Sequence, residues 1–543
     1  MQNPKPFCAY GRLRIATLCV LLGAIASCSD GGDSDSRTEP TTKDGFGRPG
    51  PLSGDKGRSG FRFGVATAAT QIEDVNEHTD WWMWTKPEPE GLGRSPFVGD
   101  AAQAFTRWEA DLDLLAELGV DAYRFSIEWA RIEPERDAID EDALDHYSKF
   151  IDGLLKRKIR PMITVHHYSN PVWVADPRAA SCDAGPSDTN LCGWDHPQGG
   201  PALVEEFAEH ACLLARRFGD RVDEWGTLNE PFTYLAAAYG FGQYPPGKNG
   251  FISDVDGVFM SALRNFAAAH AAAYRAIHDC DRKDADGDGR AADIGLSMAT
   301  AELVPARDHA LSDDPEDIAA RDRMNYALHF VFVDAFVRGG LDTDLDGEID
   351  EPHEEWKDTL DWLGIQYYSR LGVTSSPGLL PKVWATPCLS GFDFGACVPP
   401  LDPTYRVPAM NYEHWPEGLY HRLAAYSQRY STLPLVVTES GLATQVGARR
   451  SEVIVRALEQ IQRARSEGID VRGYYHWSIY DNFEWVSGYT PRFGLYTIDF
   501  SNQTRTPTEA VTTYQQIMKS RALTDSLRNE KGGTGPLTPE PED

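Results

Sequence analysis

Eight short apolar, β-prone runs alternate with longer segments of helical periodicity between residues 61 and 520, and few folds accommodate that rhythm. The runs cover residues 61–66, 122–127, 161–165, 224–228, 294–298, 362–367, 433–437 and 471–476. Between them apolar side chains recur at helical spacing: Phe105, Trp108, Leu112, Leu115 and Leu118 precede Gly119, a natural helix terminator. Eight strands, each followed by a helix, predict an α/β fold of the (β/α)8 TIM-barrel type, a single catalytic domain over residues 61–520. In such a barrel the catalytic groups stand at the C-terminal ends of the strands.

The residues following the eight runs are therefore the ones to examine. Gln71-Ile-Glu73 follows the first, Glu128-Trp129 the second, and His166-His-Tyr168 the third. Asn229-Glu230 follows the fourth, Tyr368 the sixth, Glu439 the seventh, and Trp477 with Asp481-Asn-Phe-Glu-Trp485 the eighth; Arg124 lies within the second run. One polar residue after a strand is usually a satisfied loop group, but seven strand ends carrying them point to a site. Glu230 and Glu439 each close an apolar run about two hundred residues apart. Hydrolysis of a glycosidic bond needs two carboxyl groups across the anomeric carbon, one to protonate the leaving oxygen and one to attack or to activate water.

Four segments carry a family likeness: Tyr123-Arg-Phe-Ser-Ile-Glu-Trp-Ala-Arg-Ile-Glu-Pro134, Thr227-Leu-Asn-Glu-Pro231, Val437-Thr-Glu439, and Trp477-Ser-Ile-Tyr-Asp-Asn-Phe-Glu-Trp485 followed by Gly488-Tyr-Thr-Pro-Arg-Phe-Gly-Leu495. With them the chain resembles glycoside hydrolase family 1, the β-glucosidase family. The resemblance implies a retaining exo-acting β-glycosidase with Glu230 as acid/base and Glu439 as nucleophile, their carboxyls roughly 5 Å apart. Arg124 and Tyr368 match the family's arginine and tyrosine beside the nucleophile and would keep Glu439 ionised. Gln71, His167, Asn229, Glu484 and Trp485 would hold the sugar hydroxyls, and Trp477 would floor the ring. His167 rather than His166 is selected because the family's histidine stands immediately before an aromatic residue.

Glu484 suits a free hydroxyl pair and repels phosphate, so the resemblance favours a β-glucosidase or β-galactosidase over a 6-phospho-glycosidase. Three positions depart from the family pattern: Gln366, Ser440 and Asp74 stand where Asn, Asn and Gly are usual. Cello-oligosaccharides or aryl glucosides are the expected substrates, with Trp173, Trp194, Trp384 and Trp415 as platforms for the leaving group. Two alternatives share these residues: a transglycosidase working through the same covalent intermediate, and an inactive surface carbohydrate-binding protein.

The ends of the chain have another composition. Lys5, Arg12 and Arg14 precede an apolar stretch over residues 15–26 that is too short to span a bilayer comfortably, and Leu22-Gly-Ala-Ile-Ala-Ser-Cys28 follows the pattern of a bacterial lipobox. Residues 1–28 are thus predicted to be a lipoprotein signal with Cys28 lipidated, in place of an ordinary secretory signal. The product would be exported and held at a bacterial membrane by lipid alone. Residues 29–60 and 521–543, poor in large apolar side chains, are predicted to be a disordered tether and a disordered tail. Cys182 with Cys192, and Cys388 with Cys397, bracket short polar loops fit for disulfides in an oxidising compartment. Cys212 and Cys280 are expected to be buried thiols, a third bridge being the alternative. A net charge of −30 excludes a nucleic-acid surface, which must be basic, and leaves a neutral β-linked glycoside as partner. The chemistry requires no cofactor. Two acidic loops, beginning at Asp284 and Asp342, have the first half of an EF-hand spacing without its closing Glu; in the second, Asp342, Asp344 and Asp346 are candidate ligands of a structural calcium.

Overall fold

The computed structural model describes residues 45–541 apart from 376, 377, 379 and 390–392. The export signal and Cys28 lie outside the described residues. Eight parallel strands form the barrel: β1 (Arg62–Ala66), β2 (Ala122–Ser126), β3 (Arg160–His166), β4 (Glu224–Asn229), β5 (Asp293–Arg307), β6 (Trp362–Thr374), β7 (Leu435–Ser440) and β8 (Val471–Trp477). Each pairs with the next, and β8 closes on β1 in register from Arg62 opposite Gly473 to Ala66 opposite Trp477. A helix follows every strand: α1 (Trp108–Leu118), α2 (Glu141–Lys156), α3 (Gly199–Phe218), α4 (Ser261–Cys280), α5 (Pro315–His329), α6 (Glu417–Arg429), α7 (Gly447–Ser466) and α8 (Glu509–Ser520).

Local chemistry explains these boundaries. Leu112, Leu115 and Leu118 form the buried stripe of α1, and the helix stops where Gly119 takes a left-handed φ of 82° that a side chain would oppose. The strands bury both faces, so they read as continuous apolar runs instead of alternating ones. Two strands exceed expectation: β5 and β6 continue together past the barrel rim, still paired at Ala301 opposite Ser369 and Leu303 opposite Leu371.

The predicted termini need correction. Residues 45–60 are packed, not a tether: Phe46 packs tilted against Phe61 and edge-on to Phe63, at 4.5 and 5.1 Å, Leu52 is fully buried, and Ser53 N–H donates to Asp293 at 3.0 Å. This segment caps the N-terminal mouth of the barrel, where buried Arg62 donates to Gly50 O at 2.8 Å and to Glu224 at 2.6 Å. The tail is ordered too. After a short helix α9 (Asp525–Lys531), Leu527 and Leu537 are buried, Arg456 of α7 donates to Gly535 O at 2.6 Å and Pro536 O at 3.0 Å, and Thr538 N–H donates to Glu452 at 2.7 Å.

Cys182–Cys192 and Cys388–Cys397 are bridged as the spacing predicts, but Cys212 and Cys280 are bonded and not free thiols. Cys212 on α3 faces the last residue of α4, so neighbouring helices on the barrel wall are tied together. The bridge closes a loop spanning 68 residues, which on the chain-entropy scale restrains the unfolded chain by about 4 kcal/mol. A variant with both residues changed to Ala is expected to unfold several degrees lower in a thermal scan; an unchanged midpoint would count against that contribution.

Candidate active site

The C-terminal ends of the strands open on one cavity of about 420 Å³, lined by Glu230 and Glu439 together with Gln71, His167, Asn229, Tyr368, Trp477, Glu484 and Trp485. All the residues expected to contact sugar therefore share one chamber, with Arg124 buried in β2 beneath it. Glu230 stands where β4 gives way to a short helix opened by Pro231, in a left-handed conformation with φ 42°. Such a conformation is uncommon for a residue with a side chain and concentrates at functional sites. Glu439 is on β7, whose close passage against β8 depends on Gly441: a Cβ there would lie 2.0 Å from Trp477 O.

The two carboxyls have different neighbours. Arg124 Nη1 donates to Glu439 Oε1 at 2.5 Å, and Tyr368 Oη donates to Oε2 at 2.8 Å. Glu230 has only a phenol, Tyr168 Oη, as hydrogen-bond donor to its side chain among the described residues. Burial pushes both groups above the ordinary carboxyl range. For Glu230 the charge on Glu439 adds to burial, against weaker opposition from Tyr168 and Arg124, and takes it up to about 8. For Glu439 the guanidinium, Tyr368 and Gln366 all pull back against burial. With one proton to share, the pair places it on Glu230 and leaves the charge on Glu439 beside the arginine.

Arg124 also orients Asn229. Its Nη2 donates to Asn229 Oδ1 at 2.6 Å, and Gln366 Nε2 donates to the same oxygen at 2.8 Å. With that oxygen taken, the asparagine's –NH₂ is the group left to address a ligand. Gln366, a departure from the family pattern, thus braces this asparagine. Ser440 is buried on β7, and Asp74 turns away from the chamber to accept from Thr106 N–H at 3.0 Å.

Across the chamber, Gln71 Nε2 donates to Phe483 O at 2.8 Å and reaches Glu484 Oε2 at 3.3 Å, while its buried Oε1 has no protein partner. His167 lies near-parallel to Trp477 and Trp485, 5.9 and 6.1 Å between centroids, and its buried Nδ1 is likewise without a partner. Burial and Arg124 hold this imidazole well below the usual histidine range, so it is neutral and offers one donor and one acceptor. His166 instead donates from Nε2 to Asn170 Oδ1 at 3.1 Å, as a structural histidine. Glu484 is raised to about 8 by burial and then by the two catalytic-position carboxyls.

Several other strand-end groups are structural. Glu128 accepts from Thr70 at 2.7 Å and Ser169 at 2.9 Å, Glu73 accepts from Arg131 at 3.0 Å and Tyr147 at 2.8 Å, and Asp481 accepts from Gly494 N–H at 3.0 Å. Of the four tryptophans expected as platforms, Trp173 and Trp194 are buried in packing, Trp384 is 66% exposed, and none of the four lines the chamber. Tyr168, one of the strand-end residues, takes a φ of 68° and bonds Glu230, a contact that its residue type does not signal.

The acidic loops gather differently from their spacing. Asp342 and Asp344 come together with Asp350, while Asp346 instead accepts Glu348 N–H at 2.9 Å. His353, at the closing position of that loop, stacks on Trp356 at 3.9 Å. In the first loop Asp284 and Asp286 approach Asp223, and Asp286 is paired with Arg160 at 2.7 Å.

A closed (β/α)8 barrel with two buried glutamates of unequal surroundings at the ends of β4 and β7, flanked by amide, imidazole and carboxyl side chains, has the form of a glycoside hydrolase. The sequence matches the model of glycosyl hydrolase family 1 over residues 55–523, and the chain belongs to that family. It is 28% identical over 520 residues to the β-galactosidase of Pyrococcus woesei, covering 87% of this chain and 98% of that protein. It is 31% identical over 491 residues to the bifunctional β-D-glucosidase/β-D-fucosidase of Bifidobacterium breve, covering 84% and 97%. Among solved structures, the β-glycosidase from Pyrococcus horikoshii superposes with a TM-score of 0.71 at 28% identity, over 89% of this chain and 98% of that one. The protein is a retaining β-glycosidase by family and fold.

Proposed function

We propose that the chain is an exo-acting β-glucosidase in which Glu230 is the acid/base and Glu439 the nucleophile. The observation carrying this assignment is the unequal solvation of the two carboxyls: a guanidinium and a phenol hold Glu439, a phenol alone holds Glu230. In the first step Glu439 attacks the anomeric carbon as Glu230 gives its proton to the departing oxygen, and a covalent glycosyl ester forms. Loss of the charge on Glu439 then lowers the pKa of Glu230, which takes a proton from water as water displaces the ester. Asn229 would bond the 2-hydroxyl, where contacts strengthen in the transition state. Gln71, His167, Glu484 and Trp485 would hold the remaining hydroxyls over Trp477.

Glucose as the glycone is supported by the glucosidase activity named for the Bifidobacterium breve relative. The test is a panel of nitrophenyl β-glucoside, β-galactoside, β-fucoside, β-mannoside and β-xyloside. The glucoside should have the highest kcat/KM; a clearly faster galactoside or fucoside would replace the glycone and leave the chemistry standing.

The proton on Glu230 also fixes a pH dependence. Only the protonated acid is competent in the first step, so kcat/KM should fall about tenfold per unit as pH rises beyond about 8, where Glu230 loses its proton. In Glu230→Gln, assayed with a leaving group that needs no protonation, that limb should vanish; its persistence would assign it to another group.

Export and lipidation of Cys28 form part of the same proposal. Three disulfides fit an oxidising compartment. No helix among the described residues is long and apolar enough to cross a membrane, so attachment would rest on lipid. Palmitate labelling should be lost in Cys28→Ala.

A further inference from the structure

The two glutamates divide the ring of strand ends into two arcs. One arc, β8 round through β1 to β3, supplies Trp477, Glu484, Gln71 and His167. The other, β5 and β6 between β4 and β7, has a different chemistry. Here the long arms of β5 and β6 rise past the rim, and strand alternation turns Ala299, Ala301 and Leu303 of β5 to the chamber, with Leu371 of β6 opposite Leu303. Met324 and Leu328, one turn apart on α5, close the wall behind them, and Phe232 and Ala236 continue it from the end of β4. The polar side chains on this arc are hydroxyls and one amide: Thr233, Gln243, Ser369 and the phenols of Tyr244 and Tyr412 line it, and Thr300 spends its hydroxyl on Gln366 O at 2.7 Å.

We infer that this second arc is the leaving-group subsite and that it selects an apolar alcohol or phenol, an alkyl or aryl aglycone, over a second sugar. The inference rests on the glycosidase assignment above and narrows its substrate class. A sugar leaving group presents hydroxyls on every side, and against Leu303, Leu371, Met324 and Leu328 they would be buried without partners. An alkyl or aryl group loses nothing there and gains by leaving water. The sugar-binding arc shows the contrast, with its amide, imidazole and carboxyl groups.

The test uses methyl, butyl and octyl β-glycosides of whichever glycone the nitrophenyl panel selects. Alongside them run the β-1,4-linked disaccharide of that glycone and the β-glycosyl fluoride, whose leaving group fills no subsite. The kcat/KM should climb along the alkyl series by up to about fourfold per methylene, and the disaccharide should fall at least tenfold below the octyl glycoside. A flat series, or a disaccharide equal to the octyl glycoside, overturns the inference. In Leu371→Gln, at a half-buried position, the octyl-to-fluoride ratio should drop at least tenfold, and an unchanged ratio overturns it too. Failure of the wild type to hydrolyse the fluoride would instead sink the glycosidase assignment, and this inference with it.

Discussion

Glycine in place of Glu439 is expected to lower kcat/KM on nitrophenyl β-glucoside by roughly 10⁴- to 10⁶-fold, the scale on which loss of a covalent nucleophile is felt. The substitution removes more than the attacking atom. Arg124, buried and bonded to Glu439, would keep a charge paired only with the dipole of Asn229, so the empty position becomes an attractive site for a small anion. Azide should enter it, attack from the side Glu439 occupied and displace the aglycone with one inversion, giving an α-glycosyl azide. Product analysis by NMR discriminates sharply. A β-azide, or a variant as active as wild type, would remove Glu439 from the nucleophile's role. The test also bears on the arginine: Glu439→Gly/Arg124→Gln should respond far less to azide, because the positive charge that draws the anion is gone.

The barrel was legible because burial on both faces of a parallel strand leaves an apolar run that length and flanking turns identify. The pairing of Glu230 with Glu439 in one chamber was legible because a glutamate ending such a run is chemically out of place. Other features were hidden for identifiable reasons. Apolar composition misjudged residues 45–60, where Phe46 and Leu52 suffice once Arg62 and Arg521 collect the backbone carbonyls of Gly50 and Gly47. The C-terminal strap was missed likewise, since Arg456 grips main-chain oxygens that no side-chain tally registers. Pairing of Cys212 with Cys280 required the adjacency of α3 and α4 in space. Trp173 and Trp194 show the limit of reading aromatics by position: the indole N–H of the first is bonded to Glu133 O at 2.9 Å, and the second packs edge-on to Phe266 at 5.1 Å. Tyr168 stands beside His167 in the sequence with no role signalled, because its contact with Glu230 follows from the backbone's course and not from residue type.

Alanine at Glu230 should produce a loss that depends on the leaving group, and the dependence is more informative than its size. General acid catalysis contributes about 10²- to 10⁴-fold, but only where the departing oxygen needs a proton. For an alkyl glucoside, whose alkoxide is a poor leaving group, the first step should carry the whole deficit. For dinitrophenyl β-glucoside departure needs little help, so glycosylation should proceed and the covalent ester on Glu439 accumulate, with water attacking slowly for want of a base. A burst of phenol followed by a slow steady rate is the expected trace, and the trapped ester should be visible as a mass increase on the peptide holding Glu439. Azide should then act on the second step, needing no base, and restore turnover with a β-glycosyl azide, opposite in configuration to the product of Glu439→Gly. Tyr168 offers a graded control. With the hydrogen bond from its hydroxyl removed in Tyr168→Phe, Glu230 keeps its burial and the repulsion from Glu439 while losing the one donor its carboxyl has among the described residues. Its pKa should rise, and the alkaline limb of kcat/KM should move above the wild-type position near 8. Equal losses in Glu230→Ala for alkyl and dinitrophenyl substrates, with no burst, would show that Glu230 is not the acid.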